Sequence, residues 1–138
     1  MLVENFTKIY KELNATNIET IDKIYDNDVI FIDPFHEISG LKNLKNYFFQ
    51  LYANVEEISF DFDSPVIDKN QITIPWNMLL KHSGLNRGKE FGLDGITYLQ
   101  VNDKNMIIYH RDYFDCGAML YERIPLVSAL IRWIKRKV

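Results

Sequence analysis

Apolar residues recur at helical spacing in the first part of the chain. The first run is at positions 2, 6, 9, 10 and 13, and the second is at positions 18, 21, 24 and 25. A polar break at residues 14–17 separates them. Spacings of three and four residues are typical of helices with one buried face. We therefore expect two helices packed as an antiparallel pair, and a third helix from Leu41 to about Tyr52 that Gly40 opens.

From residue 58 onward the spacing of apolar residues changes to two, which is typical of β-strands. Apolar side chains alternate with polar or mixed ones at 58, 60 and 62 and at 72, 74, 76, 78 and 80. Residues 89–101 and 106–114 predict two more strands joined by a hairpin turn, and residues 29–35 are also rich in β-formers. Helices followed by strands indicate an α+β domain, in which a strongly curved antiparallel sheet wraps around the helices and leaves a conical cavity.

A helical extension is predicted after the strands, at residues 118–138 with a break at Pro125. Its apolar positions lie on one stripe and its cations crowd the last turns, so the segment is an amphipathic basic helix. The whole chain has the length of one domain, which we place at residues 1–117. The extension either closes the cavity mouth or packs on a partner subunit, or residues 126–138 touch an anionic membrane surface weakly.

Charge and cysteine content narrow the class of protein. The formal charge is -3 at pH 7, with acids and bases mixed along the chain, which gives no reason to expect nucleic-acid binding. One cysteine, Cys116, cannot form a disulfide within the chain, and no zinc-type cysteine spacing occurs. The first ten residues resemble neither a signal peptide nor a membrane-spanning run. A cytoplasmic protein is therefore the expectation.

Two aspartates stand among large apolar side chains. Asp33 lies in residues 31–35 (FIDPF), and Asp112 lies in residues 110–115 (HRDYFD). A buried carboxylate is costly unless it is paired or used, so the two runs predict a pocket that holds both acids. An apolar cavity makes an aspartate a competent general base, so Asp33 is a candidate for that role. The alternative is a turn acid that accepts backbone N–H groups next to Pro34.

His110 and Asp112 are two residues apart on a predicted strand, so their side chains leave the same face. Together they can orient a water molecule or share a substrate proton, which makes both candidate catalytic residues. The alternative is a core histidine hydrogen-bonded to a tyrosine or to the backbone. In that case Asp112 holds Arg111 or Arg87 in an ion pair.

Large apolar side chains of the β-rich segments are expected to form the wall of the cavity and to bind the substrate. They are Phe31, Phe35, Trp76, Met78 and Leu80. The other histidines are expected to lie outside the site, His36 as a solvated loop residue and His82 near a turn. Strand parity places Asp94 on the face opposite Thr97.

A metal site is not expected. Asp33, His36, His110 and Asp112 supply suitable ligand types, but their spacing is not that of a known metal motif. No sequence feature indicates an organic cofactor either. The expected chemistry therefore uses side chains alone.

The order of elements and the two acidic runs resemble the cone-shaped fold shared by nuclear transport factor 2, ketosteroid isomerase, SnoaL-like polyketide cyclases and limonene epoxide hydrolase. The likeness covers roughly residues 2–117. Residues 25–35 (YDNDVIFIDPF) are similar to the isomerase segment that carries the general base, which implies that role for Asp33. Tyr10 falls near the isomerase tyrosine that donates to the oxyanion, and Thr97 aligns with the second oxyanion donor.

Residues 110–115 are similar to the run Trp-Arg-Asp-Tyr-Phe-Asp of the epoxide hydrolase, whose first aspartate is catalytic. The resemblance implies that Asp112 belongs to the site. The arginine and second aspartate of the hydrolase fall near Trp76 and Met78 here, so its catalytic group is incomplete. The chain thus combines one acid from each family.

These resemblances imply an enzyme without a cofactor that carries out isomerisation, cyclisation or hydration of an apolar small molecule by aspartate acid–base chemistry. Tyr10 and Thr97 would stabilise an oxyanion, while Asp112 and His110 would orient water or return the proton. The alternative is a noncatalytic module that binds a hydrophobic ligand or a protein partner. A homodimer formed through the outer face of the sheet is expected.

Overall fold

The structure is a computed structural model, and it describes residues 1–115, 117 and 125–138. The predicted helical residues 118–124 and Cys116 lie outside the described residues. The described helices are α1 (Leu2–Glu12), α2 (Leu41–Ala53) and α3 (Pro125–Lys135). The described strands are β1 (Tyr25–Ile32), β2 (Glu37–Ser39), β3 (Val55–Phe62), β4 (Val66–Asp68), β5 (Gln71–His82), β6 (Phe91–Val101) and β7 (Ile107–Phe114).

The strands form one mixed sheet of the order β2-β1-β7-β6-β5-β3, with β4 paired to β5. The α+β prediction is confirmed, but the prediction of a purely antiparallel sheet is wrong. β1 and β7 run parallel, with Phe31 opposite His110 and Ile32 opposite Arg111. A parallel pair needs a long crossover connection, and here everything from β2 to β6 supplies it. The three-residue strands β2 and β4 were missed because they are too short to show a period.

The second predicted helix is instead a 3-10 helix at Ile18–Lys23, and Tyr25 begins β1. Ile18, Ile21 and Ile24 are three residues apart and all buried. A helix with three residues per turn places such positions on one face, whereas an α-helix would spread them. The apolar spacing was therefore correctly read as helical, but it belongs to the tighter helix.

The third predicted helix is confirmed as α2. It begins after Gly40, whose φ of +89° is rarely adopted by residues with a side chain. The N–H of Gly40 donates to the Val29 carbonyl at 2.8 Å, which fixes the start of the helix against β1. Leu44 and Phe48 of α2 pack in the core beside residues of α1.

The predicted alternation in β5 is confirmed, with positions 72, 74, 76, 78 and 80 buried. In β6 the inward positions include Gly95, which lies directly opposite Trp76. A Cβ atom at position 95 would meet the Trp76 indole at 2.3 Å, so only glycine leaves room for the indole to lie across β6. Asp94 faces outward as expected, where its Oδ1 accepts the side-chain N–H of Asn77 at 2.7 Å.

The outer face of the sheet carries exposed apolar side chains on three neighbouring strands, Leu79, Ile96 and Tyr113. The expected homodimer stays a prediction, and this is the face on which it would form. No helix in the described residues is long and apolar enough to cross a membrane.

Candidate active site

One cavity of about 360 Å³ is enclosed by α1, α2 and five of the strands. Its wall is predominantly aromatic and aliphatic, and its polar groups come from the ends of β1 and β7, from β6 and from α2. The aromatic part of the wall consists of Phe6, Tyr10, Phe31, Phe35, Tyr47, Phe48, Tyr52, Phe60, Phe62, Trp76 and Phe114. An apolar cavity with a few convergent polar groups is the usual form of a small-molecule site.

Nine of the ten predicted site residues line this cavity: Tyr10, Phe31, Asp33, Phe35, Trp76, Met78, Leu80, Thr97 and Asp112. The parallel pairing of β1 with β7 explains how the two acids meet. Parallel strands end at the same edge of a sheet, so the residue after β1 and a residue near the end of β7 lie side by side. The tenth residue, His110, is fully buried behind Asp112 and does not line the cavity.

The Asp33 carboxylate is held by several hydrogen bonds. Its Oδ1 accepts the backbone N–H groups of Phe35 and His36 at 2.8 and 2.7 Å, and the Nδ1 atom of His36 lies 3.3 Å away. Its Oδ2 accepts the hydroxyl of Tyr47 at 2.6 Å. The turn-acid alternative is therefore realised in the structure, although Asp33 also lines the cavity.

The Asp112 carboxylate is held through one oxygen only. Its Oδ1 accepts the Thr97 hydroxyl at 2.5 Å and lies 2.8 Å from Nε2 of His110. Its Oδ2 makes no hydrogen bond within the described part of the chain. Every buried side-chain nitrogen or oxygen atom there has a partner, so this oxygen is not buried, and Asp112 itself lines the cavity. Asp112 forms no ion pair with Arg111 or Arg87, so that alternative is wrong.

A chain of hydrogen bonds leads from Asp112 into the core. His110 contacts Asp112 through Nε2, and its Nδ1 lies 2.7 Å from the Tyr25 hydroxyl. The Tyr25 hydroxyl lies 2.6 Å from that of Tyr10. The core-histidine alternative, a bond to a tyrosine, is thus realised together with the predicted contact to Asp112.

The direction of these hydrogen bonds follows from the carboxylate at one end. An ionised Asp112 only accepts, so a proton sits on Nε2 of His110; if the imidazole is neutral, its Nδ1 accepts from Tyr25. Tyr25 then accepts the hydroxyl proton of Tyr10. On the other side, the indole N–H of Trp76 donates to Thr97 at 2.9 Å and Thr97 donates to Asp112. One arrangement of protons with a neutral imidazole therefore satisfies the whole network.

The predicted oxyanion donors are engaged in this arrangement. Tyr10 gives its proton to Tyr25, and Thr97 gives its proton to Asp112. Tyr52 is different, because it lines the cavity while its hydroxyl makes no hydrogen bond within the described residues. Sequence reasoning missed Tyr52, and also Tyr25 and Tyr47, because all three lie in apolar runs that predict ordinary core.

Burial shapes the ionisation of the tyrosines around the site. Burial raises the pKa of Tyr52, and the negative charge of Asp112 raises it further. Burial is also the first cause that raises the pKa of Tyr47, followed by its hydrogen bond to Asp33. The pKa values of Tyr10 and Tyr25 are raised well above the usual value for the same reason. All four hydroxyls therefore stay protonated near neutral pH.

The other two histidines, His36 and His82, both line the cavity. His36 is exposed as expected, but it lies at the cavity beside Asp33. His82 also lines the cavity, and its Nδ1 accepts the Gly84 N–H at 2.9 Å. No group of three or more His, Cys, Asp or Glu side chains in these residues is arranged to hold a metal ion.

The sequence of residues 6–110 matches the family model described as SnoaL-like domain. The chain belongs to this SnoaL-like domain family. The match begins within α1 and ends at His110, so it includes Asp33 but stops before Asp112 and α3. No curated protein matches this SnoaL-like chain significantly.

Solved structures share the fold of this SnoaL-like chain at low sequence identity. A hypothetical protein from Catenulispora acidiphila with a ketosteroid isomerase-like fold, in complex with trimethylamine, has a TM-score of 0.73 and 14% identity over 86% of this chain and 88% of its own. A nuclear transport factor 2-like protein of unknown function from Exiguobacterium sp. 255-15 has a TM-score of 0.71 and 15% identity, over 83% of this chain and 98% of its own. TerC, co-crystallised with polyporic acid, has a TM-score of 0.71 and 15% identity, over 84% of this chain and 92% of its own. At such identities these structures establish the fold alone.

Proposed function

We propose that this SnoaL-like protein is a cofactor-independent acid–base catalyst that isomerises, cyclises or hydrates an apolar small molecule, with Asp112 as the proton acceptor. The observation that carries the proposal is that Oδ2 of Asp112 makes no hydrogen bond within the described residues, while Oδ1 is held by two neighbours and Asp112 lines an apolar cavity. A general base needs an available lone pair in a fixed place. Asp112 meets that need better than Asp33, because Tyr47 and the turn already occupy both oxygens of Asp33.

The proposed step is the removal of a proton from a carbon next to a carbonyl group. The C–H bond breaks, the proton forms a bond to Oδ2 of Asp112, and the electron pair moves to the carbonyl oxygen as an enolate. The Tyr52 hydroxyl is the proposed donor to that oxygen, because it donates to no group in the described part of the chain and its raised pKa keeps it protonated. Return of the proton from Asp112 to another carbon gives isomerisation. In cyclisation, the enolate carbon forms a bond to a second carbonyl carbon, the π electrons of that carbonyl move to its oxygen, and Asp112 returns the proton to this alkoxide.

His110 is proposed to position Asp112 and not to touch the substrate. Its Nε2–H holds Oδ1, which leaves Oδ2 without a partner among the described residues, and Thr97 restrains the same Oδ1 from the neighbouring strand. The buried side of the imidazole is held by Tyr25. A carboxylate fixed in this way loses little conformational freedom when it reacts.

The proposal can be tested without knowledge of the natural substrate. Apolar ketones with exchangeable α-protons, such as tetralone, are incubated with the protein in heavy water, and replacement of hydrogen by deuterium is followed by NMR. We expect exchange above the buffer rate, and we expect Asp112→Asn to lower it by at least about 100-fold, the usual contribution of a general base. Asp94→Asn is the matched control, because Asp94 lies on the outer face.

The noncatalytic alternative gives a different result. Binding of tetralone or polyporic acid, measured by quenching of the fluorescence of Trp76 in the cavity wall, without any exchange would mark the domain as a binding module. Loss of exchange in Asp33→Asn with full exchange in Asp112→Asn would move the base to Asp33. Loss of exchange in Tyr52→Phe with unchanged binding supports the assigned oxyanion donor.

A further inference from the structure

Helix α3 presents an apolar stripe to solvent. Its members are spaced four, three and one residues apart along the helix and are exposed by 86%, 55%, 51% and 47%: Leu126, Leu130, Trp133 and Ile134. On the opposite side of the helix, Ser128 is buried, and Nζ of Lys135 lies 3.6 Å from Oδ2 of Asp115, just after β7. The stripe is therefore on the side of the helix that points away from the domain.

The charge of this segment is opposite to that of the rest of the chain. Residues 125–138 contain four cations and no acid, Arg132, Lys135, Arg136 and Lys137. The remaining residues contain the other twelve cations and all nineteen acids, a formal charge of -7. The Nζ atom of Lys137 lies 5.4 Å from the centre of the Trp133 ring, which places a cation beside an aromatic side chain at the edge of the stripe. Cations that border an apolar stripe with an aromatic residue are typical of helices that lie in the interface of an anionic bilayer.

We propose that α3 docks the protein on anionic lipid bilayers, with the stripe Leu126, Leu130, Trp133 and Ile134 inserted among the headgroups. An anionic bilayer supplies both the apolar acyl region that the stripe needs and the negative headgroups that the cations need. If two copies of α3 packed stripe against stripe, neither segment would supply an acid to pair with the cations of the other, because residues 125–138 contain none. The helix is about 16 Å long at 1.5 Å per residue, so it lies flat on the bilayer and does not cross it.

The acidic remainder of the chain does not oppose this docking strongly at physiological ionic strength. Charges more than about 8 Å from the headgroups are screened there, whereas Lys137 lies beside Trp133 of the stripe and Arg136 precedes it, so in the docked state these two cations lie next to the headgroups. The attraction is worth about 1 kcal/mol for each cation, which corresponds to about fivefold in the partition coefficient. Binding is therefore expected to weaken as salt is added.

The test is co-sedimentation of the full chain with vesicles of phosphatidylcholine, with and without phosphatidylglycerol. We expect binding to the anionic vesicles, a shift of the Trp133 emission to shorter wavelength, and weaker binding at high salt. Arg136→Gln with Lys137→Gln is expected to lower the partition coefficient about 25-fold, and Leu130→Gln about tenfold. The control removes the same charge elsewhere: Lys8→Gln with Lys104→Gln, two exposed residues outside α3, is expected to leave binding unchanged.

Three results of the vesicle experiment would overturn the proposal. They are absence of binding to anionic vesicles, equal loss of binding in the Lys8 and Lys104 control, and equal binding to vesicles of phosphatidylcholine alone. A doubled mass in sedimentation velocity that Leu130→Gln abolishes would show that a second copy covers the stripe instead. Because all substituted side chains are exposed, unchanged circular dichroism is expected and separates loss of docking from loss of folding.

Discussion

The difference between the two aspartates lies in what their second oxygen contacts. In Asp33 this oxygen accepts the Tyr47 hydroxyl, whereas in Asp112 it is free within the described residues. The sequence predicted both acids and their common pocket. It could not rank them, because the groups that occupy Asp33 come from a turn geometry and from a helix 14 residues away.

Removal of the Tyr25 hydroxyl tests whether the buried chain of hydrogen bonds positions His110. In Tyr25→Phe, Nδ1 of His110 loses its partner inside the core, which we expect to lower the free energy of unfolding by about 1–3 kcal/mol. The imidazole is then free to change tautomer, so we also expect the pH profile of deuterium exchange to change, with substrate binding unaffected. Urea unfolding and the exchange assay measure the two effects.

Tyr98→Phe is the matched control for Tyr25→Phe. The Tyr98 hydroxyl also takes part in one hydrogen bond, from the side chain of Gln100 at 2.9 Å, but on the outer face of β6. We expect it to leave the pH profile unchanged. A Tyr25→Phe protein that loses stability but keeps the wild-type pH profile would show that Tyr25 is merely structural.

At the scale of the elements, one pair of residues across β5 and β6 determines where the Trp76 indole lies. Gly95 lies opposite Trp76, and the indole crosses β6 at the place where a Cβ atom would stand. That position of the indole lets its N–H reach Thr97 and, through it, Asp112. The sequence predicted Trp76 as cavity wall, but it gave no signal for the glycine, because a turn, a bulge and a close approach all favour the same residue.

Gly95→Ala is expected to displace the Trp76 indole. Overpacking of this kind lowers the free energy of unfolding by about 1–3 kcal/mol. The shift also breaks the bond from Trp76 to Thr97, so the tryptophan emission should change and deuterium exchange should fall. Gly92→Ala on the same strand is the control, since a Cβ there makes an ordinary contact of 3.5 Å with the Leu79 side chain. Equal effects of the two substitutions would mean that the cost comes from glycine itself and not from the indole.

For the whole molecule, the fold class was predictable because the apolar residues first recur at helical spacing and later alternate with polar ones, as in strands. What the sequence could not show is the parallel pairing of β1 with β7. A strand rich in apolar residues is compatible with either direction, and only the packing of α2 and the 3-10 helix decides which edge β1 joins. The same limit explains why Tyr25 was assigned to a helix.

Three buried tyrosines and the partly buried Tyr47 make the protein sensitive to alkali. Tyr10, Tyr25, Tyr47 and Tyr52 have folded-state pKa values above the value of about 10 that they take when unfolded. Their contribution to stability is therefore complete below about pH 10 and is lost as the pH rises toward the folded-state values. We expect Tm to fall steeply above about pH 10, and these four of the eight tyrosines to ionise only when the protein unfolds.

Absorbance of tyrosinate, recorded beside circular dichroism in one alkaline titration, measures this coupling. The substitution Tyr52→Phe removes one of the four groups and should make the fall in Tm shallower. Ionisation of all eight tyrosines with retained circular dichroism would contradict the expectation.

The parallel pair also determines when the site can appear during folding. Tyr25 and His110 are 85 residues apart in the chain, yet they share a hydrogen bond on which the placement of Asp112 depends. Closing so long a loop is entropically costly, and contacts of this range slow folding. A chain still being synthesised lacks β7 until nearly all of this fold has been made. Competence to bind a ligand should therefore emerge in one late kinetic phase, and a ligand that fills the cavity would report on completed folding.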